Sequence, residues 1–505
     1  MCKEKETSNE KKATRAAALV MILTQLVIVA SCGSEEQPID TATTTETQSQ
    51  TTEPEVTTAL PADLDFGGAE CRIFNFDSGS WNTQLLAETQ NGEVLNDAIY
   101  NRNIKVEDTL NVKLTEFRES EWNTAYEAAR RLLASGDDAY EIYFTNDRNA
   151  LSLAQEGYIE PLSDMPYVDL DREYWSQTIN EDISIHNKLY FSYGDFNLTG
   201  YEAVNVLLVN KQLAEEYSLP DHYDAVLDGS WTLDLLAENM KLVTNDLDGN
   251  GSFDENDQYG ITSHNKQVLP CFWVASGLRT IEKNENDEPY FALPGNEKFA
   301  DMYEKVLDIM YTDNVYFNSA SLTNYADNTV FKEGRALYNI VRVAFMTYYR
   351  DMDYDYAIIP YPKWDEAQTE YYSRFEGGAV SFTPKVAANK ELAGAVMELM
   401  ACESMKTVIP VYYDTVLKNK YARDERSIEM LDLIYENRIC DLGDTFWSNQ
   451  IRDGVFAGKF AANDRDLQST IATMEPTVNK VIEDTIAAFD ETDAAASSQG
   501  SASAE

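Results

Sequence analysis

The chain has 505 residues and a formal net charge of −47, from 87 acidic and 40 basic side chains. A surface this acidic repels phosphate backbones and anionic lipid headgroups, which argues against nucleic acid as a partner. With 44% hydrophobic and 11% aromatic residues, the chain can still bury a large core, so it is not an acidic disordered protein, and its length predicts two or three domains.

Residues 1–31 have the pattern of an export signal. Basic residues come first, an apolar run follows from Ala16 to Ala30, and small residues precede Cys32. The run is about 15 residues long, shorter than the roughly 20 that span a bilayer. The Ala30-Ser31-Cys32 junction resembles the lipobox of bacterial lipoproteins, which implies that Cys32 carries lipid and becomes the mature N-terminus. The alternative is an ordinary secretory signal with an incidental cysteine.

Two polar segments flank the body of the chain. Residues 32–62 are rich in threonine and free of aromatic residues, which predicts a disordered tether. Residues 491–505 are small and polar, which predicts a disordered tail. We therefore expect a protein anchored through Cys32 to the outer face of the cell membrane.

Strand-like and helix-like segments alternate between the tether and the tail, which predicts an α/β architecture with mostly parallel sheets. The predicted strands are 71–76, 141–145, 188–196, 203–210, 336–341, 356–362 and 379–383. The predicted helices are 96–110, 125–134, 232–243 and 390–403. Asn96, Thr232 and Asn389 stand at the starts of three of these helices, where such side chains cap free backbone N–H groups.

Signals for catalysis are weak. The four cysteines of the body, Cys71, Cys271, Cys402 and Cys440, are too scattered for a disulfide framework. Three histidines without HExxH or CxxC spacing argue against a zinc enzyme. With 87 acidic residues, some carboxylates always lie close together, so paired acids carry little information.

The sharpest local motif is an acidic loop at residues 246–257 that follows the template of a calcium loop. Its oxygen ligands would be Asp246, Asp248, Asn250, Ser252, Asp254 and Asp257. Gly251 takes position six, where the chain turns sharply. Position twelve, normally a glutamate, is the shorter Asp257, which weakens the case for bidentate ligation. The loop predicts a structural calcium site, and the alternative is an acidic surface turn.

Aromatic residues near predicted strand ends point to sugar binding. Trp81, Tyr201 and Trp273 are of this kind, and flat rings stack on the apolar faces of sugars. Carboxylates and guanidinium groups, such as that of Arg342, bind sugar hydroxyls. Taken singly, each aromatic residue is equally explained by packing in the core.

Several segments, in their order along about residues 63–490, resemble the extracellular solute-binding proteins of ABC importers, family 1, in the carbohydrate-binding group that includes maltose-binding protein. The segments are LPADLDFGGAECRI at 60–73, NDAIYNRN at 96–103, YFSYGDF at 190–196, the 246–257 loop, FKEGRALY at 331–338 and YAIIPYP at 356–362. The first of them is similar to the start of the mature body in lipoprotein members from Gram-positive bacteria.

The resemblance implies two α/β lobes joined by two or three crossings, with hinge closure over a sugar or oligosaccharide. The first lobe would be 63–198 with about 378–425, and the second 199–377 with about 426–490. The closed form would be recognised by a membrane permease, and the protein would be a monomer without enzymatic activity. By position, the ligand-binding residues implied are Asp77, Trp81, Asp147, Tyr201, Trp273, Arg342 and Glu376.

Other functions remain open at this point. A surface-anchored glycoside hydrolase would need two cleft carboxylates, one with a raised pKa. A non-catalytic adhesin or sensor protein would bind ligand without an importer. Within the transport hypothesis, the ligand could be a peptide or another polar solute instead of a sugar.

Overall fold

The strands form two larger sheets and two small ones in the residues that the structure, a computed structural model, describes: 56–79, 81–324 and 328–502. The strands are β1 Ala69–Phe76, β2 Val112–Glu119, β3 Ile142–Asn146, β4 Asn205–Asn210, β5 Tyr259–Ser263, β6 Ile281–Lys283, β7 Pro289–Phe291, β8 Tyr316–Asn318, β9 Ala336–Arg342, β10 Tyr356–Ile359, β11 Ser373–Arg374, β12 Ala379–Phe382 and β13 Arg438–Ile439. The first sheet has the order β12-β3-β1-β2, and the second has the order β10-β4-β9-β5-β8.

Helices connect and cover these strands. They are α1 Val94–Leu110, α2 Trp122–Ser135, α3 Asp147–Gln155, α4 Gln177–Ile183, α5 Thr199–Glu202, α6 Lys211–Glu216, α7 His222–Asp228, α8 Leu233–Val243, α9 Asn265–Ala275, α10 Glu297–Tyr311, α11 Thr329–Lys332, α12 Lys390–Tyr412, α13 Glu425–Glu436, α14 Leu442–Thr445, α15 Ala457–Ala461 and α16 Leu467–Ala502. Short 3₁₀ segments are Leu162–Asp164, Ser319–Ser321 and Val343–Tyr349, and π-helical segments are Tyr413–Tyr421 and Arg452–Phe456.

The first sheet is mostly parallel. β1 pairs in parallel with β2 and β3, and β12 joins β3 in the antiparallel direction. The long helix α12 packs on α1, and both α2 and α3 pack against the strands. In α1, Ile99, Val106 and Leu110 are buried, as the spacing of its apolar residues predicts.

The second sheet is mixed. β5 pairs in parallel with β8 and β9, whereas β4 is antiparallel to both β9 and β10. Helices α8 and α13 pack against β5 and β10. The predicted α/β class with two sheets and flanking helices is confirmed, with antiparallel strands more common in the second sheet than the sequence suggested.

The chain passes between the two sheets more than once. Residues 147–204 lead from β3 to β4, and residues 360–378 lead back from β10 to β12. A third connection, the π-helical Tyr413–Tyr421, joins α12 of the first lobe to α13 of the second. The lobe boundaries given above stay a prediction.

Three local predictions need correction. Residues 188–196 make only isolated bridges, at Ser192 and Gly194 among others, because their apolar side chains pack into the core without joining a strand ladder. Helix α1 is capped by Glu93, whose carboxylate accepts from the Asn96 N–H at 2.7 Å, and not by Asn96. Asn389 does cap α12, which continues beyond the predicted 403 to Tyr412.

The predicted end segments differ from the structure where it describes them. The predicted export signal, Cys32 and the predicted tether up to residue 55 lie outside the described residues. The end of the predicted tether is part of the body, because Val56 and Leu60 pack against the core. Helix α16 runs through 491–502, where the sequence predicted a disordered tail, and the alanines of this segment have a high helix propensity.

No helix among the described residues combines the length and apolar character that a membrane span requires. The four cysteines of the described body are free and buried. Burial raises the pKa of the Cys271 thiol to about 11 and that of Cys440 well above its usual range.

A tight helix contact gives the first testable prediction. A Cβ at Gly394 of α12 would lie 1.9 Å from the Pro166 carbonyl oxygen, so Gly394→Ala forces the backbone apart. We expect a loss of about 1–3 kcal/mol in the free energy of unfolding, measured by denaturant titration. The control is Gly458→Ala, in α15, where a Cβ meets nothing within 4 Å. Equal stability of the two variants would contradict the packing described.

Candidate functional site

Glu376 is the centre of a buried, highly charged site between the two sheets. Its side chain is 6% exposed and forms ion pairs with Arg148 at 2.5 Å, Arg452 at 3.0 Å, Arg374 at 3.5 Å and also Arg342. Burial alone would raise the pKa of Glu376, but the four guanidinium groups outweigh burial and hold this pKa well below its usual range. Glu376 is therefore ionised at neutral pH.

Two of these arginines are held by further carboxylates. Arg374 donates to Asp444 from Nε at 2.5 Å and from Nη2 at 3.0 Å. Arg452 reaches Asp444 at 3.1 Å and Asp453 through Nε at 3.1 Å. Both side chains are nearly inaccessible, with exposures of 0% and 5%, so they form the inner wall of the site.

The site lies at strand ends, where α/β proteins bind ligands. Arg148 follows β3 as the second residue of α3, and Arg342 is the last residue of β9. Glu376 lies on the return crossing, where its N–H donates to the Ala203 carbonyl at 3.1 Å. Residues from the first lobe, the second lobe and a crossing therefore meet at one place.

Trp81 closes one side of this site. Its ring centroid lies 5.9 Å from Arg342 Cζ. Gly377 allows the approach, because a Cβ there would lie 3.3 Å from Trp81 and 3.6 Å from Arg342, and its φ of +77° also favours glycine. Trp81, Arg342 and Glu376 are thus brought together as the resemblance implied.

A small cavity of about 20 Å³ adjoins Arg342 on the second-lobe side. Asn205, His264 and Gln267 give it polar groups, while Phe345 and Tyr349 give it aromatic surface. The cavity thus combines flat rings with hydrogen-bonding groups, and in this structure it has room for about one water molecule.

Asp147 lies next to this site but is not exposed to it. Its side chain is fully buried and accepts from the Tyr193 hydroxyl at 2.8 Å. Burial raises its pKa to about 6, although the neighbouring Arg148 acts in the opposite direction. Asp147 therefore lies behind the site and contacts Tyr193. Its neighbour Arg148, which the sequence analysis did not name, donates to Glu376.

Three predicted ligand residues lie elsewhere. Asp77 is exposed and pairs with Arg118, and Tyr201 is half-buried with its hydroxyl donating to Asp195 at 3.1 Å. Trp273 is 0% exposed, with ring centroids 6.0 Å from Phe299 and 5.8 Å from Phe456. The sequence predicted that Trp273 lines the cleft, whereas the structure places it on a face of α9 that packs into the second-lobe core.

Several charged residues of the site were missed in the sequence analysis: Arg148, Lys266, Arg374, Arg452 and Asp453. Arg148 could have been found, since it follows Asp147 directly after a predicted strand. Arg452 and Asp453 carry no such signal, because they lie in an irregular π-helical turn near the C-terminus.

The acidic loop brings three of its six predicted calcium ligands together. Carboxylate oxygens of Asp246, Asp248 and Asp257 lie within 4.8 Å of one another. Asn250 donates to Asp248 at 2.6 Å, while the N–H of Ser252 donates to Asn250 at 2.7 Å. The remaining acid, Asp254, accepts from the Asn256 N–H at 2.8 Å and is not part of this trio. Three converging carboxylates are a donor set that fits calcium.

Comparison with known proteins supports the fold. No family model and no curated protein matches the chain. Solved structures do match, among them an extracellular solute-binding protein from Staphylococcus aureus in complex with maltose, with a TM-score of 0.55, 11% identity, and 84% of this chain and 97% of that chain covered. A cyclo/maltodextrin-binding protein complexed with maltotetraose gives the same TM-score, identity and coverage.

An ABC substrate-binding protein from Listeria monocytogenes in complex with cycloalternan matches with a TM-score of 0.52 and 13% identity, covering 82% of this chain and 99% of that chain. At these identities the likeness establishes the fold. The two-lobed α/β architecture that the sequence predicted is therefore confirmed.

A buried carboxylate beside the site gives a pH-dependent prediction. Glu202 of α5 accepts from the Asn82 N–H at 2.6 Å, and burial raises its pKa to about 7. Since the folded pKa lies above the unfolded value of about 4.3, the stability that Glu202 contributes is present below about pH 4 and is lost as pH rises through 7.

We therefore expect Glu202→Gln to be more stable than the parent at pH 8, by at most about 3 kcal/mol, and close to it at pH 4. Thermal melts at the two pH values measure this difference. The exposed Glu238→Gln serves as the control and should show no such pH-dependent gain. An equal effect of Glu202→Gln at both pH values would contradict the assignment.

Proposed function

We propose that this protein captures a sugar or oligosaccharide between its two lobes and delivers it to an ABC importer. The observation that carries the proposal is the meeting of both lobes and a crossing at one site, in a fold shared with binding proteins solved with maltose, maltotetraose and cycloalternan. Trp81 offers a ring for stacking, and Arg148 and Arg342 offer hydrogen-bond donors.

Closure of the lobes would then couple binding to transport. A ligand that touches Trp81 in the first lobe and Arg342 in the second makes both contacts only when the lobes are close together. Binding therefore shifts the population toward the closed form, which a permease can distinguish from the open form.

The same site does not suit a glycoside hydrolase. Its central carboxylate, Glu376, is held ionised by four arginines, so it cannot act as a general acid. Asp147 has a pKa raised to about 6, but its side chain is fully buried against Tyr193 and does not face a substrate. We therefore propose a binding protein and not an enzyme.

We further propose that the protein is exported, anchored to the outer face of the membrane through Cys32, and works as a monomer. The junction before Cys32 supports this location, although it lies outside the described residues. A tether of about 24 residues, from Cys32 to the first described residue, would leave the body free to reach a permease in the same membrane.

Calcium is the proposed structural ion of the acidic loop. Asp246, Asp248 and Asp257 would hold it, and the ion would neutralise the repulsion between their charges. Asp257 is buried and also accepts from the Leu247 N–H at 2.9 Å, so it would tie the ion to the base of the loop.

Sugar binding is tested with Trp81→Ala. Removing the ring should weaken the affinity for a bound oligosaccharide at least about tenfold, because the stacking surface is lost while the half-buried side chain leaves the core intact. Calorimetric titration measures the affinity. The exposed Tyr290→Ala, on the β6–β7 hairpin, is the aromatic control. An affinity unchanged by Trp81→Ala would remove this residue from the site.

Calcium binding is tested by thermal melts in a few millimolar Ca²⁺ and in chelator. We expect calcium to raise the melting temperature by about 2 °C or more, because the ion binds only the folded loop. Asp248→Asn should reduce this shift, whereas Asp301→Asn, an exposed acid outside the loop, should preserve it. No shift with calcium in the parent protein would refute the proposed site.

A further inference from the structure

The charges around Glu376 do not balance. The cations are Arg148, Lys266, Arg342, Arg374 and Arg452, and the carboxylates paired with them are Glu376, Asp444 and Asp453. When the buried Asp147 is counted as well, the five cations named above exceed the four carboxylates by one positive charge. In a chain with a net charge of −47, such a local excess between the lobes is contrary to the general composition.

The arginines differ in how much of their hydrogen-bonding capacity is used. Arg374 and Arg452 are buried and engaged by carboxylates on several nitrogens. Among the described residues, the guanidinium groups of Arg148 and Arg342 each donate one hydrogen bond, to Glu376, although each carries five N–H donors. Arg148 is 32% exposed and Lys266 is 49% exposed, so this side of the cluster is open to a ligand.

Two buried donors at the same place lack an acceptor among the described residues. They are Arg342 Nε and Trp81 Nε1, on side chains that lie against each other across Gly377. Both atoms can only donate, and an unpaired buried donor costs about 1–3 kcal/mol. A ligand that supplies acceptor oxygens here would remove this cost.

We infer that the cleft takes an acidic saccharide, one whose carboxylate or sulfate group lies against Arg342 and Arg148. The inference rests on the proposed sugar-binding function and names its ligand class. A guanidinium group pairs an oxyanion through two parallel hydrogen bonds, which a neutral hydroxyl cannot match. The acidic remainder of the surface does not prevent this, since charges beyond a Debye length of about 8 Å are screened at physiological salt.

The ligand class is tested by calorimetric titration of the intact protein. The acidic probes are tetragalacturonate, beside its carboxyl-reduced neutral counterpart, and a chondroitin sulfate tetrasaccharide, which distinguishes sulfate from carboxylate. The neutral probes are maltotetraose, cellotetraose and mannotetraose. We expect an acidic probe to bind at least about thirtyfold more tightly than any neutral one, with an affinity that falls as salt rises.

The inference would be overturned if a neutral tetrasaccharide bound as tightly as the acidic probes, or if tetragalacturonate and its reduced form bound equally. Either result would leave the proposed function in place. Binding of no saccharide in either set would overturn both.

A variant separates recognition from a purely structural role of the cluster. Arg342→Gln leaves Glu376 paired with three arginines, so we expect a folded protein. Its affinity for the acidic probe should fall at least about tenfold, and the salt dependence should become weaker. The control is Arg465→Gln, whose exposed side chain pairs with Asp308 away from the site. A lower melting temperature with unchanged affinity and salt dependence would overturn the inference.

Discussion

The arrangement of the two lobes depends on the ion pairs that the buried, ionised Glu376 carboxylate forms with four arginines. A carboxylate taken out of water is costly, and only charges close enough to outweigh that cost keep it ionised. Those charges come from Arg148, Arg342, Arg374 and Arg452, which are far apart in the chain. Removing one charged side chain from such a network lowers the free energy of unfolding by more than the network's net contribution, because an opposite charge is left buried without its partner. The site therefore constrains β3, β9, the return crossing and the C-terminal region at once.

This dependence places the proposed ligand site at the connections between the two sheets. Glu376 and Gly377 lie on the return crossing, and Glu202 lies at the end of the first one. A ligand that pairs with Arg342 would change the charge around the backbone that connects the lobes. Recognition and movement would then involve the same few residues.

Much of the fold could be predicted from sequence, because the spacing of apolar residues that predicts a strand or a helix depends only on residues close together in the chain. Strands β1, β9 and β12 are short segments with many buried apolar residues, and α1 has its apolar residues on one face. The same reasoning failed at 188–196, where an apolar run is buried without pairing as a strand. Apolar composition reports burial, and it does not distinguish a strand ladder from packed loop.

The site was harder to predict, because its contacts join residues more than two hundred positions apart, such as Arg148 and Glu376. Position after a strand singled out Trp81, Arg342 and Glu376, which the structure brings together, and their role in binding stays a prediction. It could not tell which face of α9 packs inward, the face on which the structure places Trp273. No local pattern marks Arg452 in its π-helical turn.

The burial of the four cysteines determines how accessible their thiols are to reagents in solution. Cys71, Cys271, Cys402 and Cys440 are free, and burial favours their protonated thiol form. No disulfide therefore cross-links the described body, which is held together by packing, hydrogen bonds and ion pairs. Since all four thiols are buried and protonated, an oxidant outside the protein reaches them only when the fold opens.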